Sequence, residues 1–371
     1  MSKTINTLGR RLLSFYRGFQ YKACGRDVYG VMSPGKRVFI EPFRFEENHG
    51  DVVHPCVRFI PEGFEGHYWW MVYTPYYNSN AALENPILCY AESDDPEIPP
   101  VKWEVYCLVN EKPVDGYNSD PTLLYTSGQL YVYWRENIVR NKEKYDYWRA
   151  TFVAQVRNGT VKKCSDNSIL QTNDDEIDAE TCPTFICEQD GSFTAYAMHL
   201  QFHSKRVKQL KGIVKKIANG VLLLTDMLGI YAQQKHFGIA IWKGSTPECP
   251  FTYKKTVKFR NCNRLYRPWH MDFFDYGGKR YAIVQTNMSN ADLCLAESED
   301  GENFTFFNRP LITNKTIGKI GIYKPCAGVT PDGKFYLYYT AQDIENRALN
   351  KLYVSELSMR QLTSSKSNEE I

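Results

Sequence analysis

Several short signatures are missing from this chain of 371 residues. It has no HExxH, no GxSxG and no glycine fingerprint for a dinucleotide or a triphosphate. That excludes a helix-borne zinc protease, a nucleophile elbow and a phosphate-cradling loop as the seat of its chemistry. Eleven cysteines form no CxxC pair, so a zinc ribbon and a thioredoxin-like redox motif are excluded as well. Their odd number and scattered placement, several inside strand patterns, read as small buried hydrophobes in a reducing compartment. No apolar run reaches transmembrane length and no stretch has the composition of a signal peptide. The expectation is cytoplasmic synthesis with no integral membrane segment, which is compatible with later release as part of a virion. A net charge of +3 is too small to imply a nucleic-acid partner.

Aromatic residues are abundant: 26 Tyr, 20 Phe and 7 Trp. They favour strands, and flat rings also stack on the apolar faces of sugars. The stretch from Asp51 to Asp95 arranges them as a unit: an X-Pro strand start, HPCVRFI, a glycine turn, an aromatic run, HYWWMVYT, and a third run, NPILCYAES. Residues 267–307 and 324–343 repeat it, and PILCYAESDD returns almost unchanged as ADLCLAESEDG. Five starts can be followed, at His54-Pro55, Asp120-Pro121, Cys182-Pro183, Trp269-His270 and Lys324-Pro325. Each precedes a turn and an alternating aromatic strand. Five such units predict an all-β chain folded as a five-bladed β-propeller.

The longest spacing falls after the third start, where SKRVKQLKGIVKKIANGVLLLTDMLGIYAQQK, about 204–235, predicts a helical insertion in blade three. The insertion suits a partner-binding arm, a lid over the channel mouth, an oligomer contact or an outer decoration, and its basic cluster suits a solvated helix face or an acidic-glycan or phosphate contact. Residues 1–20 predict a short basic amphipathic helix. The expected organisation is a helix and closing strands over 1–45, the propeller over 46–360 and a polar tail over 361–371. A ring of blades needs an outer strand to close it, and residues 21–50 are the candidates.

The first strand of each propeller blade lines the central channel, so function is sought at the X-Pro starts. Gathered there are Asp51 and His54, Asp120, Asp178 and Glu180, then Arg267, Trp269, His270 and Asp272, and finally Tyr323 and Lys324. Carboxylates converging with histidines, cations and an aromatic platform suit glycosidic cleavage, in which one carboxyl protonates the leaving oxygen and another activates water or attacks. Asp51, Asp120 and Glu180 are the candidate working carboxyls, with Glu180 as the acid beside apolar Cys182 and Phe185. His54, Arg267, Trp269, His270, Asp272 and Lys324 are the candidate substrate contacts. A channel Ca²⁺ is compatible with His270 and the carboxylates, but the spacing is not diagnostic, and no metal or cofactor is expected.

The five DP-type starts resemble those of the five-bladed propeller glycoside hydrolases, the clans of the arabinanase/xylosidase and invertase/levanase families. In the former, the resemblance implies an Asp base at a D-P start in blade one, a second Asp that tunes it, and a Glu acid before a blade-three Gly-Pro. Asp120-Pro121 matches a D-P start in the second unit, His54 stands at the blade-one place, and Glu180-Thr-Cys-Pro183 puts the Glu one residue farther from proline. The wording YWWMVYTPYYNSN, ENPILCYAESDD and YNSDPTLLY resembles still more closely a group of propellers in bacteriophage tail and bacterial surface proteins, over about 50–356. The resemblances imply a carbohydrate or polysaccharide partner. Either the chain cleaves that glycan or, as a non-catalytic receptor-recognition propeller, only binds it.

Overall fold

The computed structural model describes residues 30–40, 51–77, 80–93, 95, 98–141, 146–171, 180–200, 212, 214, 237–261, 268–286, 292–318, 321–342 and 350–364. The expected helix over 1–20 lies outside them, as does the expected insertion apart from Gly212 and Val214. Five sheets contain the described strands. Two ribbons come first, β1 (Lys36–Arg37) and β2 (Phe39–Ile40). Blade one is β3 (Val52–Phe64), β4 (His67–Pro75), β5 (Ile87–Ala91) and β6 (Lys102–Leu108). Blade two is β7 (Gly116–Thr126), β8 (Gln129–Asn141), β9 (Asp146–Arg157) and β10 (Thr160–Lys163). Blade three is β12 (Glu180–Cys187), β13 (Phe193–Leu200), β14 (Phe237–Gly244) and β15 (Phe251–Thr256), preceded by β11 (Leu170–Gln171). Blade four is β17 (Pro268–Tyr276), β18 (Lys279–Thr286), β19 (Asp292–Ser298) and β20 (Asn303–Phe306), preceded by β16 (Lys258–Arg260). Blade five has three strands of its own, β21 (Gly321–Val329), β22 (Lys334–Gln342) and β23 (Asn350–Ser358). The chain is thus an all-β five-bladed propeller.

The two ribbons join the ends of the ring. β1 pairs antiparallel with β23 as the outer strand of blade five, and β2 runs parallel to β6 on blade one. Between them the Val38 N–H donates to Leu352 O and the Phe39 N–H to Val101 O, so one short segment is sewn to both the first and the last blade. β11 and β16 are the same device elsewhere, parallel ribbons on β15 and β20.

Alternation explains the packing. A blade buries both faces against its neighbours, so its middle strands are apolar on both sides. Five clusters of buried side chains result, one per blade interface. Trp70, Val72 and Leu88 of blade one meet Leu123, Val132 and Trp134 of blade two. Trp69 and Met71 on the opposite face of β4 meet Tyr336 and Tyr338 of blade five. Hairpins are set by two-residue turns with positive φ at both residues, Glu65-Gly66, Ser127-Gly128, Asn158-Gly159 and Gly277-Gly278. Their twist matches the flanking strands.

Each inner strand breaks register at its start, and β3 does so again between Phe59 and Phe64. The irregularities at the starts fall between Val53 and Cys56, Ser119 and Thr122, Thr181 and Thr184, Pro268 and Met271, and Tyr323 and Pro325. Bulges of this kind re-aim a side chain. The residue before proline takes a positive φ in four of the five: 55° at His54, 51° at Asp120, 52° at Cys182 and 23° at Lys324. Such backbone costs of order 1–3 kcal/mol per residue and collects at functional sites.

Candidate functional site

The five bulge residues converge as a ring, one from each blade: His54, Asp120, Cys182, His270 and Lys324. All are buried. His54 Nε2 lies 3.3 Å from Asp120 Oδ1, and the Cys182 thiol donates to that same oxygen at 3.0 Å. Cys182 Sγ in turn abuts His270 Nδ1. The two imidazoles stand 5.3 Å apart, centroid to centroid, although blades one and four are not neighbours. The contact therefore crosses the middle of the channel. Tyr323 packs edge-on to His270 at 4.2 Å, and Trp269 does the same from the other side at 5.4 Å.

A second group supports the ring from behind. Arg135 Nη2, from β8, meets Asp120 Oδ2 at 2.6 Å and also donates to Ser119 Oγ. Behind His54, Nδ1 faces Glu84 Oε2 at 3.2 Å and Thr74 Oγ1 at 3.1 Å. Burial alone would raise the Asp120 carboxyl, but Arg135, then His54, His270 and Lys324 outweigh it and hold Asp120 ionised, well below the usual carboxylate range. Burial, reinforced by His54, pushes His270 well below the ordinary imidazole range. Lys324 sits above its usual value because Cys182 and Asp120 outweigh the burial that works against its charge. Glu84 is pushed up by burial, against the pull of His54.

Two residues further along, strand alternation gives a lower layer. Cys56 Sγ lies 3.4 Å from Thr122 Oγ1, and Thr184 donates to Asp272 Oδ1 at 3.3 Å. Asp272 is the knot of this layer. Arg58 of blade one donates to both its oxygens, at 2.7 and 3.0 Å, and the Ala327 N–H of blade five donates at 2.9 Å. Blades one, three, four and five are tied through one carboxylate.

The residues singled out from the sequence therefore separate. His54, Asp120, His270 and Lys324 share the ring, with Trp269 at its edge. Asp272 sits beneath it with both oxygens engaged. Asp51 is elsewhere: its Oδ1 receives the Asn350 N–H at 3.1 Å and faces Lys351 Nζ at 3.4 Å, joining blade one to the last strand of blade five. Glu180 opens β12, two residues before Cys182, and its side chain lies outside the described residues, as does Arg267. Cys182 itself, Arg135 and Glu84 were not singled out. Cys182 occupies a start position whose repeat marks it; Arg135 is the charge inside the aromatic strand QLYVYWRE; Glu84 follows a loop with no pattern.

No family model matches the chain, and no curated protein does either. Solved structures do resemble it. An N-acetylgalactosamine deacetylase from F. plautii, in complex with blood group B trisaccharide, superposes with a TM-score of 0.60 at 15% identity, over 90% of this chain and 97% of that one. A GH43 β-xylosidase/α-arabinofuranosidase from a compost microbial metagenome gives 0.56 at 14% identity, over 88% and 94%. A family 117 glycoside hydrolase of the marine bacterium Zobellia galactanivorans gives 0.54 at 14%, over 89% and 91%. At these identities the likeness is one of fold.

Proposed function

We propose that this propeller is a carbohydrate-active hydrolase whose chemistry is centred on Asp120 in the channel ring. One observation carries the reading: five inner-strand bulges, four of them on positive-φ residues, spend backbone strain to bring a carboxylate, two imidazoles, a thiol and an ammonium to one place. The carbohydrate part of the reading comes from the neighbours, which include two glycoside hydrolases and a sugar deacetylase. In this reading ionised Asp120 holds and polarises the attacking water. Glu180, at the start of the adjoining inner strand, is the proton donor to the leaving oxygen. His54 and His270 take sugar hydroxyls, and Trp269 offers its ring as a platform.

The test is a panel of polysaccharides and acetylated oligosaccharides offered to the purified protein, with reducing sugar and acetate both measured. Asp120→Asn and Glu180→Gln are each expected to lower turnover roughly 10²-fold or more, as loss of a general acid or base does. Unchanged turnover in both variants removes them from the mechanism. Binding of a glycan with release of neither product replaces the hydrolase with the glycan-binding reading.

A further inference from the structure

Two buried nitrogens in the ring lack a hydrogen-bond partner, His54 Nε2 and His270 Nε2. The rings that carry them are 4% and 3% exposed, so water cannot compensate from the surface. A buried polar atom left unpaired is destabilising, and two within one cluster call for a shared explanation. Their placement narrows it. His54 Nδ1 lies against the Glu84 carboxyl and the Thr74 hydroxyl, so in the neutral ring with its hydrogen on Nδ1 the lone pair is on Nε2. That lone pair then faces Asp120 Oδ1 at 3.3 Å, acceptor against acceptor. A positive charge makes the pair favourable, either a second proton on the His54 ring or a cation seated beside both, and only the cation can also serve the orphan His270 Nε2.

We propose that His54, Asp120 and His270, completed by Cys182, bind one divalent transition-metal ion of the zinc type. One ligand atom from each of the first three can be chosen so that all lie within 4.8 Å of one another. Cys182 Sγ fills the remaining corner, 3.0 Å from Asp120 Oδ1 and against His270. A tetrahedral ion with bonds of about 2.0–2.3 Å keeps its ligand atoms roughly 3.5 Å apart, so the group needs to draw in by about an ångström. Imidazole rotation supplies that. Two nitrogens, a sulfur and a single carboxylate are a soft, four-coordinate set, whereas Ca²⁺ asks for six to eight oxygens. Glu84 behind His54 orients the ligand as a carboxylate behind a metal-bound histidine does. Arg135 and Lys324 work against a cation. Arg135 is spent on the other oxygen, Asp120 Oδ2. Lys324 is offset when the Cys182 thiol releases its proton on binding.

The inference uses the ring of the proposed hydrolase but does not depend on its activity, and metal content is read without substrate. Full-length protein is stripped with a chelator, dialysed, and loaded separately with Zn²⁺, Co²⁺ or Ca²⁺. Expected are about one equivalent of zinc per chain by elemental analysis, no retained Ca²⁺, and a sulfur-to-cobalt charge-transfer band. Cys182→Ser is expected to abolish that band, His270→Gln to abolish zinc retention, and Glu84→Gln to weaken zinc affinity by roughly 10–100-fold. Circular dichroism checks that each variant is folded, and the wild-type loading is decisive where one is not. Wild-type protein that keeps less than about a tenth of an equivalent of zinc overturns the proposal, as does zinc retention at the wild-type level in both His54→Gln and His270→Gln. Zinc uptake by a protein that hydrolyses nothing upholds it while the hydrolase reading falls.

Discussion

Removing the Arg135 guanidinium would leave the buried Asp120 carboxylate without its ion-pair partner on Oδ2. Arg135→Met is expected to lower unfolding free energy by about 3–5 kcal/mol in a denaturant titration. By contrast Lys102→Ala, which breaks an exposed pair with Glu92, is expected to cost less than about 1 kcal/mol. Equal losses would show that Asp120 is not held by Arg135. The ring itself was half legible in the sequence. A proline after His54, Asp120, Cys182 and Lys324 marks a fixed place in each repeat, so those positions could be read from spacing. Arg135 and Glu84 come from a second strand and a loop, and only the fold brings them behind the ring. Asp51 was grouped with His54 because it stands three positions earlier at the same strand start. The bulge between Val53 and Cys56 turns His54 inward, while Asp51 bonds toward β23.

Between blades three and four, Arg280 of β18 acts as a latch. It donates to Glu188 at 2.9 and 3.0 Å and to Asp275 at 2.8 and 2.9 Å, with the Tyr196 hydroxyl beside it. Burial would raise the Glu188 carboxyl, but hydrogen bonds from Arg280, Thr194 and Lys243 lower it to about 2. A depressed folded pKa stabilises above the unfolded value and loses that contribution as pH falls toward the folded one. Between about pH 5 and pH 2 the wild type is expected to lose roughly 1–2 kcal/mol that Glu188→Gln does not lose, after discounting for solvent screening. Parallel acid-denaturation curves for the two would rule the latch out. The interface between blades five and one is tighter still, since a Cβ on Gly328 would come within 2.7 Å of Trp69. Gly328→Ala is expected to lower the melting temperature by several degrees through overpacking, about 1–3 kcal/mol.

Over the whole molecule, the repeats were legible because the second and third strands of each blade carry long aromatic and apolar runs. The closing strand was legible only as a segment, residues 21–50, and not as an element, because β1 and β2 are two residues each, too short to show any period. Truncation of residues 1–40 is expected to cost about 2–4 kcal/mol, from buried Val38 and the lost ribbon hydrogen bonds, and to expose the edge of β23. An unchanged, cooperative melt would show that the ring closes without them. Deleting 205–234 is expected to do far less, because β13 and β14 pair in register through their last residues, Leu200 with Phe237. Loss of folding in that variant would make the deleted segment part of the core. The irregularity at the head of each inner strand has a broader consequence. Pairing resumes within two residues of each bulge, so the backbone at that place stands outside the ladder of the blade that presents it. The axis is in effect five interchangeable sockets on a fixed frame. Its chemistry can be rewritten by exchanging plugs, one blade at a time, without asking the frame to move.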